Sequence, residues 1–96
     1  MKGSPSLLLV AMLTAPLLAQ AAEPQQCQTV RFSDVGWTDI TVTTAVTSAV
    51  LEALGYKTHT TMISVPVTYK SLAAGKDLDV FLGNWMPTME NDIKQY

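Results

Sequence analysis

Gln28-Thr29-Val30-Arg31-Phe32-Ser33-Asp34-Val35-Gly36-Trp37-Thr38-Asp39 is the stretch that decides the architecture. Val30 and Phe32 alternate with Thr29, Arg31 and Ser33, which predicts a strand over 28–35. Gly36 then permits a sharp turn. A helix is predicted over 39–54, because Val42, Ala45, Val46, Ala49, Val50, Ala53 and Leu54 recur at helical spacing while Thr43, Thr44, Thr47 and Ser48 cover the other side. Thr38 or Asp39 is placed to cap this helix and Gly55 to end it. Threonines are poor helix formers, so packing rather than propensity must hold the element.

Downstream the pattern repeats. Residues 57–63 are rich in β-branched side chains and predict a second strand. Ser64 and Pro66 open a second helix that carries Val67, Leu72 and Ala73 and stops at Gly75. Leu78-Asp79-Val80-Phe81-Leu82 predicts a third strand closed by Gly83-Asn84, and a third helix starts after Pro87 with Glu90 and Asp92 near its positive end. Strands alternating with helices imply parallel pairing through right-handed crossovers, hence an α/β layered domain; if it is the start of a doubly wound sheet, the usual strand order is two-one-three. With three strands and a short last helix the sheet is expected to continue in a longer protein, of which residues 23–96 form the N-terminal part.

The front end is a different kind of segment. Met1-Lys2 leads into the apolar run Leu7-Leu8-Leu9-Val10-Ala11-Met12-Leu13, and Ala19-Gln20-Ala21 precedes the first acid, Glu23. This pattern predicts a cleaved signal peptide over 1–22 and export of the remainder. Thr14 and Pro16 interrupt the run before it reaches the ~20 apolar residues of a spanning helix, which weighs against a retained anchor. Cys27 is the single cysteine and has no partner within the chain, so any bridge would reach another chain or further sequence. The residues before it, Pro24-Gln25-Gln26, lack the apolar and small character of a lipid-attachment signal.

Of 96 residues 48% are hydrophobic and 15% charged, with a formal net charge of −2, which argues against a disordered tail and against a basic nucleic-acid binder. Catalysis has little to work with: the chain carries one His, one Cys, no phosphate-cradling glycine motif and no Cys or His pair at metal spacing. No cofactor is implied. His59, among threonines in a predicted strand, fits an exposed or edge position better than a catalytic one. Asp77 and Asp79 fit a solvated turn better than an acid/base pair.

Trp37 and Trp85 carry more information. They directly follow the ends of the first and third strands, the place where open parallel sheets bind ligands. The alternative is that each indole packs into the core, as most tryptophans of small domains do. The turn-forming surroundings Gly36-Trp37-Thr38-Asp39 and Gly83-Asn84-Trp85-Met86-Pro87 would cover a buried indole poorly. Two rings with one nearby acid suit a cation, and a quaternary ammonium in particular, because it donates no strong hydrogen bond and is held by aromatic faces.

Val35-Gly36-Trp37-Thr38-Asp39-Ile40, Ser64-Val65-Pro66-Val67-Thr68-Tyr69 and Asp79-Val80-Phe81-Leu82-Gly83-Asn84-Trp85-Met86-Pro87-Thr88 together resemble the periplasmic substrate-binding proteins of choline ABC transporters, within the wider glycine-betaine and proline-betaine binding family. The resemblance runs over residues 23–96 and is most specific at Gly83-Asn84-Trp85-Met86-Pro87. It implies the first lobe of a two-lobed periplasmic binding protein that closes on its ligand by hinge motion. It further implies that Trp37 and Trp85 wall an aromatic box for a trimethylammonium head, and that Asp39 is the acid paired with the ligand, a position equally compatible with a helix cap. The implied partners are a small ligand, choline or a betaine, and a permease in the inner membrane. Two other classes remain open at this stage: an exported α/β enzyme with its catalytic residues in further sequence, and a chemoreceptor-type sensory domain.

Overall fold

The computed structural model describes Gly3 and residues 23–96, so the expected leader over 1–22 lies outside the described residues apart from Gly3. After a 3-10 turn at Gln25–Cys27, the elements run β1 (Thr29–Asp34), α1 (Thr38–Ala53), β2 (Lys57–Met62), α2 (Val65–Ala74), β3 (Val80–Phe81) and α3 (Glu90–Ile93). All strands are parallel, in the order β2-β1-β3. This is the expected two-one-three start of a doubly wound sheet. Thr29 to Asp34 pair with Lys57 to Met62 residue for residue, whereas β3 pairs with β1 only at Phe32↔Val80 and Ser33↔Phe81.

Alternation along β1 sends its side chains to opposite faces, and the hydrogen bonds follow that alternation. Ser33 Oγ meets Thr68 Oγ1 of α2 at 2.5 Å, while the next residue, Asp34, accepts from Thr41 Oγ1 of α1 at 2.8 Å. The two helices therefore clasp the sheet from either side. Phe32, Ile40, Tyr69, Leu78 and Met89 are the buried apolar side chains at the centre. His59 is exposed on β2, an edge strand of the described sheet, as expected.

Three expectations need correction. The third strand spans two residues rather than five, because Leu78 and Asp79 enter as irregular chain and Leu82 and Gly83 already turn away. The N-cap of α1 is Trp37, with no side-chain cap bond, so neither Thr38 nor Asp39 caps the helix; they are its first two residues. Most consequentially, α1 turns its other face to the sheet: Ile40 and Thr44 are buried, whereas Val42, Val46, Val50 and Leu54 form an exposed ridge. Small hydroxyl side chains let the helix sit close to β1, at the cost of leaving the buried Thr44 and Ser48 hydroxyls without hydrogen-bond partners among the described residues.

Asp79 is also more than part of a solvated turn. Its carboxylate takes Arg31 Nε at 3.0 Å and Nη2 at 2.9 Å, and accepts the Arg31 backbone N–H at 2.9 Å, while Asp79 N–H returns a bond to Arg31 C=O. The Arg31 guanidinium also donates to the Lys76 carbonyl. The fork and the backbone bond thus extend the β1–β3 contact below the two-residue ladder. The Arg31 side-chain hydrogen bonds, aided by the Arg31 N–H and opposed by partial burial, hold the Asp79 carboxyl below its ordinary value. A carboxyl lowered in the folded state adds stability above its unfolded pKa and loses it as pH falls through the folded value. Asp79→Asn should therefore cost about 0.2–1 kcal/mol at neutral pH, the range for a half-exposed pair, and nothing measurable once the carboxyl is protonated. Urea unfolding of both proteins at neutral and strongly acidic pH checks this; a difference that persists unchanged in acid would contradict it.

Candidate functional site at the ends of β1 and β3

The sheet order makes β1 and β3 neighbours, and the loops leaving their carboxyl ends meet. Each loop brings a tryptophan. The ring centroids of Trp37 and Trp85 lie 5.8 Å apart with planes inclined at 52°. The two residues are 39% and 49% exposed, so neither packs into the core. They form two adjoining walls of an open corner at the point where the strand order reverses.

The Trp37 wall is built from Asp34. Its Oδ1 accepts the N–H of Gly36 at 2.8 Å, an Asx turn, and its Oδ2 accepts the Thr41 hydroxyl at 2.8 Å. Gly36 has φ 84°, a left-handed conformation that favours glycine, and this bend throws the chain from β1 directly into α1. With both oxygens of a nearly buried carboxylate engaged on either side of it, Trp37 is held at a fixed point. Sequence reasoning missed Asp34, although Asp followed two residues later by Gly is a turn signal that could have found it.

The Trp85 wall rests on Gly83, Asn84 and Met89. Gly83 is buried, and a Cβ there would sit 2.7 Å from two Phe81 ring atoms and 3.1 Å from Cγ1 of Ile40. The Met89 N–H closes on the Trp85 carbonyl at 2.7 Å, and the Met86–Pro87 peptide between them is cis. Asn84 Oδ1 accepts the hydroxyl of Tyr69 at 2.8 Å. The segment 64–69 thereby serves both walls: Thr68 ties α2 to β1, and Tyr69 ties it to the Trp85 loop.

Asp39 is exposed in the first turn of α1, two residues beyond Trp37. No group of three or more potential metal ligands occurs among the described residues. Cys27 is exposed and forms no disulfide among the described residues, at the far end of β1 from the tryptophans. Among the described residues no helix is long and apolar enough to cross a membrane. A cavity of about 350 Å³ is lined by Tyr69, Leu72, Phe81, Asn84, Ile93 and Tyr96 among others; neither tryptophan lines it, but Asn84, next to Trp85, does.

Two solved structures share this fold. An ABC-transporter choline binding protein in complex with choline superposes with a TM-score of 0.74 at 68% identity, covering 77% of this chain and 25% of the other. An ABC-transporter choline binding protein in an unliganded semi-closed conformation gives 0.67 at 69% identity, covering 74% and 24%. The fold is therefore the start of a periplasmic binding protein fold. The model of the substrate-binding domain of ABC-type glycine betaine transport systems matches residues 28–96, and the chain belongs to that family, which comprises transport proteins rather than enzymes. A Chromohalobacter salexigens protein called "Uncharacterized protein ORF1" is 52% identical over 88 residues, 92% of this chain and 56% of its own length. The chain thus spans about half of that curated relative and a quarter of the solved ones.

Proposed function

We propose that residues 23–96 form the first part of a periplasmic solute-binding protein that delivers choline, or a closely related quaternary ammonium compound, to an inner-membrane ABC permease. The observation that carries this reading is the Trp37–Trp85 corner, two half-exposed indoles 5.8 Å apart at the switch point of the sheet. Each ring face attracts a cation by about 0.5–1 kcal/mol when exposed and about 2 or more when water is excluded. A trimethylammonium head, with no N–H to satisfy, loses little by leaving water for such a corner, and closure of a second lobe would supply the remaining walls. The choline complex of the 68% identical relative supports the same ligand class here. The protein binds and releases its ligand unchanged. Export through a leader over 1–22 rests on the apolar run from Leu7 and the small residues Ala19 and Ala21.

Asp39 supplies the negative charge beside this corner. Its effect is testable in a two-lobed protein made by joining residues 23–96 to the remainder of the choline-binding relative, in place of the quarter of that protein that this chain matches. Asp39→Asn should weaken choline by up to about fivefold, the upper value for an exposed ion pair. Glycine betaine should suffer less, because its carboxylate is repelled by a nearby acid and gains from the acid's removal. Calorimetric titration with both ligands measures the pair of changes. If betaine loses as much affinity as choline, Asp39 has no part in recognising the ligand.

A further inference from the structure

We infer that Tyr69, a buried residue of α2, is the positioning residue that fixes the Trp85 wall at the angle the tryptophan corner needs. The inference rests on the proposed quaternary ammonium site and explains how it is held open before ligand arrives. Tyr69 is 3% exposed, and its ring packs edge-on to Phe81 with centroids 5.8 Å apart and planes at 80°. Its hydroxyl reaches out of the core to two residues that bracket Trp85: it donates to Asn84 Oδ1 at 2.8 Å, and Met89 Sδ lies 3.5 Å away. Met89 in turn donates its N–H to the Trp85 carbonyl at 2.7 Å. One phenol thus touches the residue that precedes the indole and the residue that closes the turn behind it. Burial, with the charge of Asp92 adding, pushes the Tyr69 hydroxyl above its ordinary pKa.

The chemistry of the latch separates position from stability. Asn84 is exposed, so water replaces the phenol on its amide oxygen when the hydroxyl is removed. The core keeps the aromatic ring. Tyr69→Phe should therefore leave the fold intact while freeing the Trp85 loop, whereas loss of a core contact would lower stability and leave the loop geometry of the surviving folded molecules unchanged.

The test reads the geometry of the two indoles directly. Two tryptophans 5.8 Å apart at a fixed inclination couple their excited states and give an exciton couplet in circular dichroism, which Trp37→Phe or Trp85→Phe abolishes. Tyr69→Phe in the 96-residue chain should collapse that couplet with the helical signal retained, and Asn84→Ala should do the same. The double variant should be no worse than either single one, as expected for one shared interaction. In the joined two-lobed protein, Tyr69→Phe should weaken choline by about two- to tenfold, the loss of one net hydrogen bond. An unchanged couplet in folded Tyr69→Phe, or a couplet lost only in step with the helical signal, overturns the positioning role. A collapsed couplet together with choline affinity insensitive to Trp85→Ala keeps the latch and removes the choline site, so the two failures are distinct.

Discussion

Trp85→Ala should lower choline affinity about ten- to a hundredfold, or about 1–3 kcal/mol, when residues 23–96 are carried in the joined two-lobed protein. In the proposed site the indole contributes in two ways. Its face attracts the cation, and its area packs on the methyl groups, so truncation removes cation–π attraction and apolar contact together. The change is expected to be largely local, because Trp85 is half exposed and its loop is held by the Tyr69–Asn84 bond and by main-chain bonds that do not use the indole. Unfolding curves of the two proteins should nearly coincide while their titrations diverge. An unchanged dissociation constant would remove Trp85 from the site, and a large loss of stability would transfer its role to the fold.

Gly83→Ala should destabilise the chain by about 1–3 kcal/mol, the usual cost of forcing a methyl group into a filled space. The added Cβ would meet the Phe81 ring at 2.7 Å, closer than real Cβ atoms come, so the ring must move. Phe81 cannot move freely, because Tyr69 packs edge-on against it, and Ile40 closes the other side at 3.1 Å. The absent side chain therefore serves the close approach of β3, α1 and the Trp85 loop. Urea denaturation monitored by the helical signal measures the loss. Wild-type stability in this variant would show that the ring yields without cost, and would separate the glycine from the packing assigned to it.

These two sites were legible in the sequence to different degrees. The alternation Val30/Phe32 and the helical run after Trp37 placed β1 and α1 within a residue or two, and the two-one-three order was expected as the usual start of a doubly wound sheet. Adjacency of Trp37 and Trp85 followed from that order, since both sit just past the ends of neighbouring strands. The face of α1 was not legible. Periodicity located a stripe of Val42, Val46, Val50 and Leu54, but a stripe does not say which surface it meets, and the sheet took the thinner Thr44 and Ser48 side. Nor could spacing reveal Tyr69 to Asn84 or Arg31 to Asp79, because these pairs are joined only after the strands have set their register. Asp34 lies between these cases, as its turn is local and its second bond, to Thr41, depends on how α1 leaves the sheet.

In the proposed site a pair of ring faces, rather than a set of hydrogen-bond acceptors, selects the ligand. Choline and ethanolamine share the hydroxyl end and differ at the nitrogen, where one carries three methyl groups and the other three N–H donors. A primary ammonium entering the Trp37–Trp85 corner gives up its hydration and finds too few acceptors to replace it, whereas the methylated head gains contact with both indoles. Calorimetric titration of the joined two-lobed protein with both compounds is the most direct measurement: the account predicts that choline binds at least about tenfold more tightly, and equal affinities for choline and ethanolamine would contradict it.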